Sequence, residues 1–117
     1  MYLNHTLYSL SIKPGDSGPS GPLESLDVSI LQNKLLSPVL GIQDPRTSER
    51  IKFIGGIKEP DELIRLIDSG YGAVSFFLFP VSMEELIAVT GQNQIMPPKS
   101  TWFEPKLRDG LIVYSID

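Results

Sequence analysis

Hydrophobic positions along this chain follow two different periods. In Thr6 to Lys13, TLYSLSIK, the residues Tyr8, Leu10 and Ile12 alternate with Ser9 and Ser11. That two-residue period predicts a strand with one covered and one wet face. From Leu26 to Leu36 the spacing changes. Leu31 and Leu35 stand four apart, and Val28 and Ile30 widen the same face, as in a helix. Pro38 stops it, because proline lacks the amide hydrogen and its ring collides with the preceding turn. Ile51 to Ile54 is a short apolar run closed by Gly55-Gly56, predicted as a strand.

The second half is signed more clearly. In EPDELIRLIDSG, Pro60 falls in the first turn, acids crowd the N-terminal end, Leu63, Leu66 and Ile67 share a face, and Gly70 follows the last turn. All four features favour a helix. AVSFFLFP is apolar on both alternating faces and predicts a central strand covered on both sides. Ser82 and Glu85 then form a capping box, with Val81 and Leu86 at the staple positions of a helix that Gly91 ends. Leu111 to Ile116 reads as a closing strand. Between these elements lie a flexible Gly/Pro/Ser connector, Pro14 to Pro22, and a turn-rich loop around Asp44-Pro45. A right-handed, parallel crossover is expected between Ile51 and Phe79. The expected fold class is α+β, an α/β two-layer arrangement, with a mixed sheet of about four strands and helices mainly on one face.

Bulk properties narrow this picture. The 117 residues suit one domain, 1–117. With 41% hydrophobic and 21% charged residues, the chain is too apolar for disorder. A net charge of −4 argues against a general nucleic-acid binder, which needs a basic face to displace counterions. The absence of cysteine removes disulfides and thiolate metal sites. No apolar run approaches the roughly 20 residues that span a bilayer. The first residues lack the basic start and apolar core of a secretory signal, so the expected compartment is the cytoplasm.

Candidate chemistry concentrates in IMPPKSTWFEPKL, Ile95 to Leu107. A phosphate-wrapping Walker loop needs glycines before its lysine, whereas Met96, Pro97 and Pro98 precede Lys99. What remains is a stiff loop presenting Lys99, Ser100 and Thr101 to an anion, with Lys106 and Arg108 nearby and Trp102 as a wall. The competing reading is a structural loop whose Trp102 and Phe103 plug the core. Gly55-Gly56 reads as a tight turn, because Glu59, Asp61 and Glu62 would repel a phosphate there. Asp44-Pro45-Arg46-Thr47 reads as a turn in which Asp44 bonds its own following backbone. The alternative is Arg46 clamping a carboxylate or phosphate with its planar fork. His5, the one histidine, is a poor base, and a histidine-rich metal site is excluded. Glu84-Glu85 and Asp61-Glu62 are helix-start charges, and Ser75 and Ser100 have no evident base.

The segments SLDVSILQNKLLSPVLGIQDPRT, RIKFIGG and QIMPPKSTWFEPKLRDGLIVYSI together resemble the C-terminal part of the domain-of-unknown-function 1015 family, large uncharacterised proteins of bacteria and archaea. The resemblance runs from about Thr6 to the end. Its recurring segments fall on Asp44 to Thr47 and on Pro97 to Lys106. Members of that family are several times longer, so the chain is expected to be a truncated gene product or a fragment. Their N-terminal part has a ParB-like look, and they tend to lie near serine-biosynthesis genes. Both hints imply phosphorylated small metabolites.

The first functional expectation is therefore binding of a phosphate- or carboxylate-bearing metabolite by Lys99, Ser100, Thr101, Trp102, Lys106 and Arg46. Phosphoryl transfer is its associated chemistry, which works by positioning and charge neutralisation. Mg²⁺ would then be required, and no ligand cluster in the sequence clearly supplies it, so no cofactor is specified. The alternative is a structural or self-association module of a larger protein, a homodimer included, with the first strand as the pairing edge. Nucleic-acid binding through Trp102 and the lysines is the least favoured reading at this net charge. No membrane partner is expected.

Overall fold

The structure is a computed structural model that describes residues 1–15, 19–55 and 60–101. It opens on a hairpin. Strands β1 (Tyr2–Leu3) and β2 (Thr6–Leu7) pair antiparallel, Tyr2 opposite Leu7 and Leu3 opposite Thr6. The two-residue loop between them, Asn4-His5, has φ of 49° and 58°. This is the doubly left-handed turn whose twist matches that of two paired strands, and Asn tolerates it better than most residues. One further pair extends the ladder, with the Met1 ammonium on the Tyr8 carbonyl at 2.9 Å and the Tyr8 amide on the Met1 carbonyl at 2.8 Å.

The expected strand Thr6–Lys13 thus realises only its first two residues as β2, and its Tyr8, Leu10 and Ile12 face remains exposed. β1 was not expected at all, yet it lies at the centre of the sheet, whose order is β2-β1-β3. β3 is Val74–Ser75, antiparallel to β1, with Tyr2 opposite Ser75 and Leu3 opposite Val74. AVSFFLFP is consequently an edge, and Phe79 is exposed. Ile51–Ile54 joins no ladder among the described residues. Among the described residues the sheet has three antiparallel strands, where a mixed sheet of about four with a parallel crossover is expected. The expected strand Leu111–Ile116 lies outside the described residues.

Helical segments follow local signals more closely. α1 (Pro22–Ser25) starts on the last proline of the expected connector, and α2 (Asp27–Leu31) follows after a break at Leu26. The chain then widens into a π-helical turn, Gln32–Leu36, where the Ser37 amide bonds the Gln32 carbonyl at 3.0 Å. The sequence pattern predicts one continuous helix over Leu26 to Leu36. Pro38 explains the widening, since an ordinary α turn would drive its ring into the carbonyl four residues back. α3 (Pro60–Asp68) carries half-buried Leu63, Ile64, Leu66 and Ile67 against exposed Asp61, Glu62 and Arg65. It ends in a Schellman motif. The Tyr71 amide reaches the Leu66 carbonyl at 3.1 Å, the Gly70 amide reaches Ile67 at 3.0 Å, and Gly70 sits at φ 83°. α4 (Met83–Gly91) has the expected capping box: the Glu85 amide donates to Ser82 Oγ at 3.2 Å and the Ser82 amide to Glu85 Oε2 at 2.7 Å. Its left-handed terminator is Asn93, at φ 55°, and not Gly91.

Packing divides into two parts. α3 lies against β3, while α1 packs on both α2 and α4. Leu26 and Val89 are fully buried in the second part, and Tyr2, Leu36 and Ile42 complete the buried apolar set among the described residues. Gln32 fastens the π turn to the following loop, its Nε2 donating to the carbonyls of Ile42 at 2.8 Å and Gln43 at 3.2 Å. The Cα radius of gyration is 17.2 Å, against about 13 Å for a compact chain of this length.

Candidate functional site

The Pro97–Thr101 loop follows the Asn93 terminator of α4. Pro98 occupies the second position of a turn closed by the Ser100 amide on the Pro97 carbonyl at 3.4 Å. Lys99 takes the third, at φ 57°. Proline followed by positive φ marks a turn of the type II kind, whose third position ordinarily goes to Gly or Asn. A lysine there holds its backbone at a cost of about 1–2 kcal/mol. The turn leaves the Lys99 side chain exposed, and no carboxylate pairs with it among the described residues. Thr101 is exposed as well.

Ser100 behaves differently from the expectation drawn from its sequence. Its Oγ donates to the Pro97 carbonyl at 2.7 Å, so its one proton is committed to the turn and only its lone pairs are free. An anion needs donors, which leaves Lys99 and Thr101 as the groups of this loop able to receive one. Trp102 and Lys106 lie outside the described residues.

Arg46 sits in a separate turn. Asp44 Oδ1 accepts its backbone amide at 2.9 Å, and the Asp44 carbonyl accepts the Ser48 amide at 3.1 Å. The aspartate thus bonds its own following backbone, as the turn reading of this segment requires. The Arg46 side chain is exposed. No hydrogen bond joins Arg46 to Lys99, Ser100 or Thr101. Among the described residues no group of three metal-ligating side chains occurs, and no helix is long and apolar enough to cross a membrane.

One polar cluster was not foreseen. The Tyr2 hydroxyl donates to Asp68 Oδ1 at 2.7 Å, and His5 Nδ1 lies 2.9 Å from the same oxygen. Asp68 is the last residue of α3, where a carboxylate meets the negative end of the helix dipole. Two donors from the hairpin compensate it there and tie the sheet to α3. The hydrogen bond to Asp68, then burial and the carboxylate's charge, raise the Tyr2 phenol above its ordinary value. His5 is 79% exposed, which suits a tether better than a catalytic base. A second tether sets Lys52 Nζ 5.0 Å from the Tyr71 ring centroid, joining the 51–54 segment to the turn that follows α3.

Apolar exposure is the most distinctive surface feature. α4 buries Val89 completely but presents Met83 and Ile87, 58% and 65% exposed, on a different face. Phe79, four residues before Met83, is 84% exposed. Leu7, Tyr8, Leu10 and Ile12 form a second exposed group on the hairpin arm.

Comparison with known proteins adds no family: no protein-family model, curated protein or solved structure matches the chain.

Proposed function

We propose that this chain is an interaction module, a small α+β unit whose uncovered apolar residues dock on a protein surface. One observation carries the reading: α4 is apolar on two faces, and only the Val89 face is covered. A helix that is apolar around most of its circumference is ordinarily enclosed. Here Met83 and Ile87, with Phe79 ahead of them, face outward. Burying three such side chains is worth about 1.5–3 kcal/mol each, enough to drive association once translational and rotational costs are offset by further contacts. The decisive experiment is binding of an apolar fluorescent probe to the folded chain. Strong enhancement that falls in the Met83→Ser/Ile87→Ser double variant is expected. No enhancement from the folded wild type would reject the reading.

A second reading keeps the loop as an anion site, with Lys99 and Thr101 receiving a phosphate or carboxylate group. It is supported by the left-handed backbone at Lys99, since strain of this kind gathers at ligand clamps. Titration calorimetry with inorganic phosphate tests it. Binding by the wild type, lost in a folded Lys99→Ala variant, is expected, and equal heats from both would reject it.

A further inference from the structure

The register of the hairpin decides which backbone groups face outward beyond it. Met1 and Tyr8 exchange both of their hydrogen bonds, so the Tyr8 amide and carbonyl point toward β1. In an antiparallel ladder these directions alternate along the strand. The amides and carbonyls of Leu7, and of Ser9, Ser11 and Lys13 as the strand continues, therefore point to the opposite, outer edge. No described residue hydrogen-bonds the backbone of Ser9 to Lys13. Pro14 follows and biases Lys13 toward an extended backbone, so the arm is suited to run on as a strand.

Resting on the interaction-module reading, we propose that this outer edge pairs with the same edge of a second copy, antiparallel about a two-fold axis at Leu10. The occupant follows from the residues. In that register Leu10 faces its own copy, Tyr8 faces Ile12, Ser9 faces Ser11 and Leu7 faces Lys13. Aromatic opposite β-branched is a favourable cross-strand pair, and the one charge of the segment never meets its like. Tyr8, Leu10 and Ile12 of both copies then form one continuous apolar face. An exposed strand edge is a ready template for such pairing, and an isologous contact closes at two subunits. The interface falls at the small end, below about 1,200 Å², so the dimer is reversible and concentration-dependent.

Leu10 is a non-hydrogen-bonded position in this pairing, with the two Cα atoms about 4.5 Å apart, inside disulfide range. The chain has no cysteine of its own, so Leu10→Cys introduces a single thiol. The test combines two measurements on the full chain. Under mild oxidation, Leu10→Cys should form a covalent dimer at least tenfold faster than Gln94→Cys, a control at an exposed position. In sedimentation velocity the wild type should gain mass from low micromolar to near-millimolar concentration. Leu10→Lys, with circular dichroism unchanged, should stay monomeric. Equal cross-linking of the two thiols overturns the proposal. So does a dimer that survives Leu10→Lys, which leaves the module reading standing with its contact elsewhere. Protection of the Ser9 and Ser11 amides in a strictly monomeric chain overturns it too, because the chain itself would then hold the edge.

Discussion

Replacing Leu26 and Ile87 separately by alanine tests where stability resides. Leu26 is fully buried between α1 and α2. Leu26→Ala deletes three carbon atoms, a transfer loss of about 2.4 kcal/mol at about 0.8 per buried methylene. The cavity adds to this, and comparable substitutions cost about 2–5 kcal/mol, so about 3 kcal/mol is expected. Ile87 is 65% exposed and keeps roughly a third of the burial, so its transfer loss is about 0.8 kcal/mol. Alanine returns about 0.4 kcal/mol through higher helix propensity. The net cost is about 0.5 kcal/mol or less. Urea unfolding at low protein concentration measures both. A loss below about 1 kcal/mol for Leu26→Ala, or above about 2 for Ile87→Ala, would refute the assignment of core and surface.

Three further outcomes follow from local geometry. Ser82→Ala breaks the capping box of α4 and should lower stability by about 1 kcal/mol, read from the same unfolding curves. Lys99→Gly relieves the left-handed backbone against a higher unfolded-state entropy; a gain of up to about 1 kcal/mol is expected, and a loss would contradict the turn geometry. The raised Tyr2 phenol stabilises the fold fully below its unfolded pKa, and this contribution is lost as pH rises through the folded one. Unfolding midpoints of the wild type should therefore fall more steeply than those of Tyr2→Phe above about pH 10.

Elements set by neighbouring residues were legible in the sequence. Ser82 with Glu85, and Pro60 with Gly70, each place a helix end within one turn, and the structure puts α3 and α4 on them. Elements set by distant residues were not. β1 needs β3, more than seventy positions away, and its hairpin turn uses Asn4-His5 where an Asn-Gly pair would have announced it. The only available signal was Asn4, a residue that tolerates positive φ. Ile51–Ile54 has strand composition but no ladder partner among the described residues, and composition alone cannot supply a neighbour. At the loop, Pro97 and Pro98 advertised a stiff segment outside the regular elements, yet nothing in the sequence revealed that Ser100 would spend its proton on Pro97. The meeting of Tyr2, His5 and Asp68 was equally hidden, since it depends on how the hairpin lies across the end of α3.

One apolar face of α4 is open to solvent in the free chain, with Met83 58% and Ile87 65% exposed. Hydroxyl-radical footprinting with mass spectrometry reads this residue by residue. At low micromolar concentration, Phe79, Met83 and Ile87 should be modified readily while Leu26 and Val89 stay protected. Protection of Phe79 and Met83 in a monomeric sample, to the level of Val89, would contradict it.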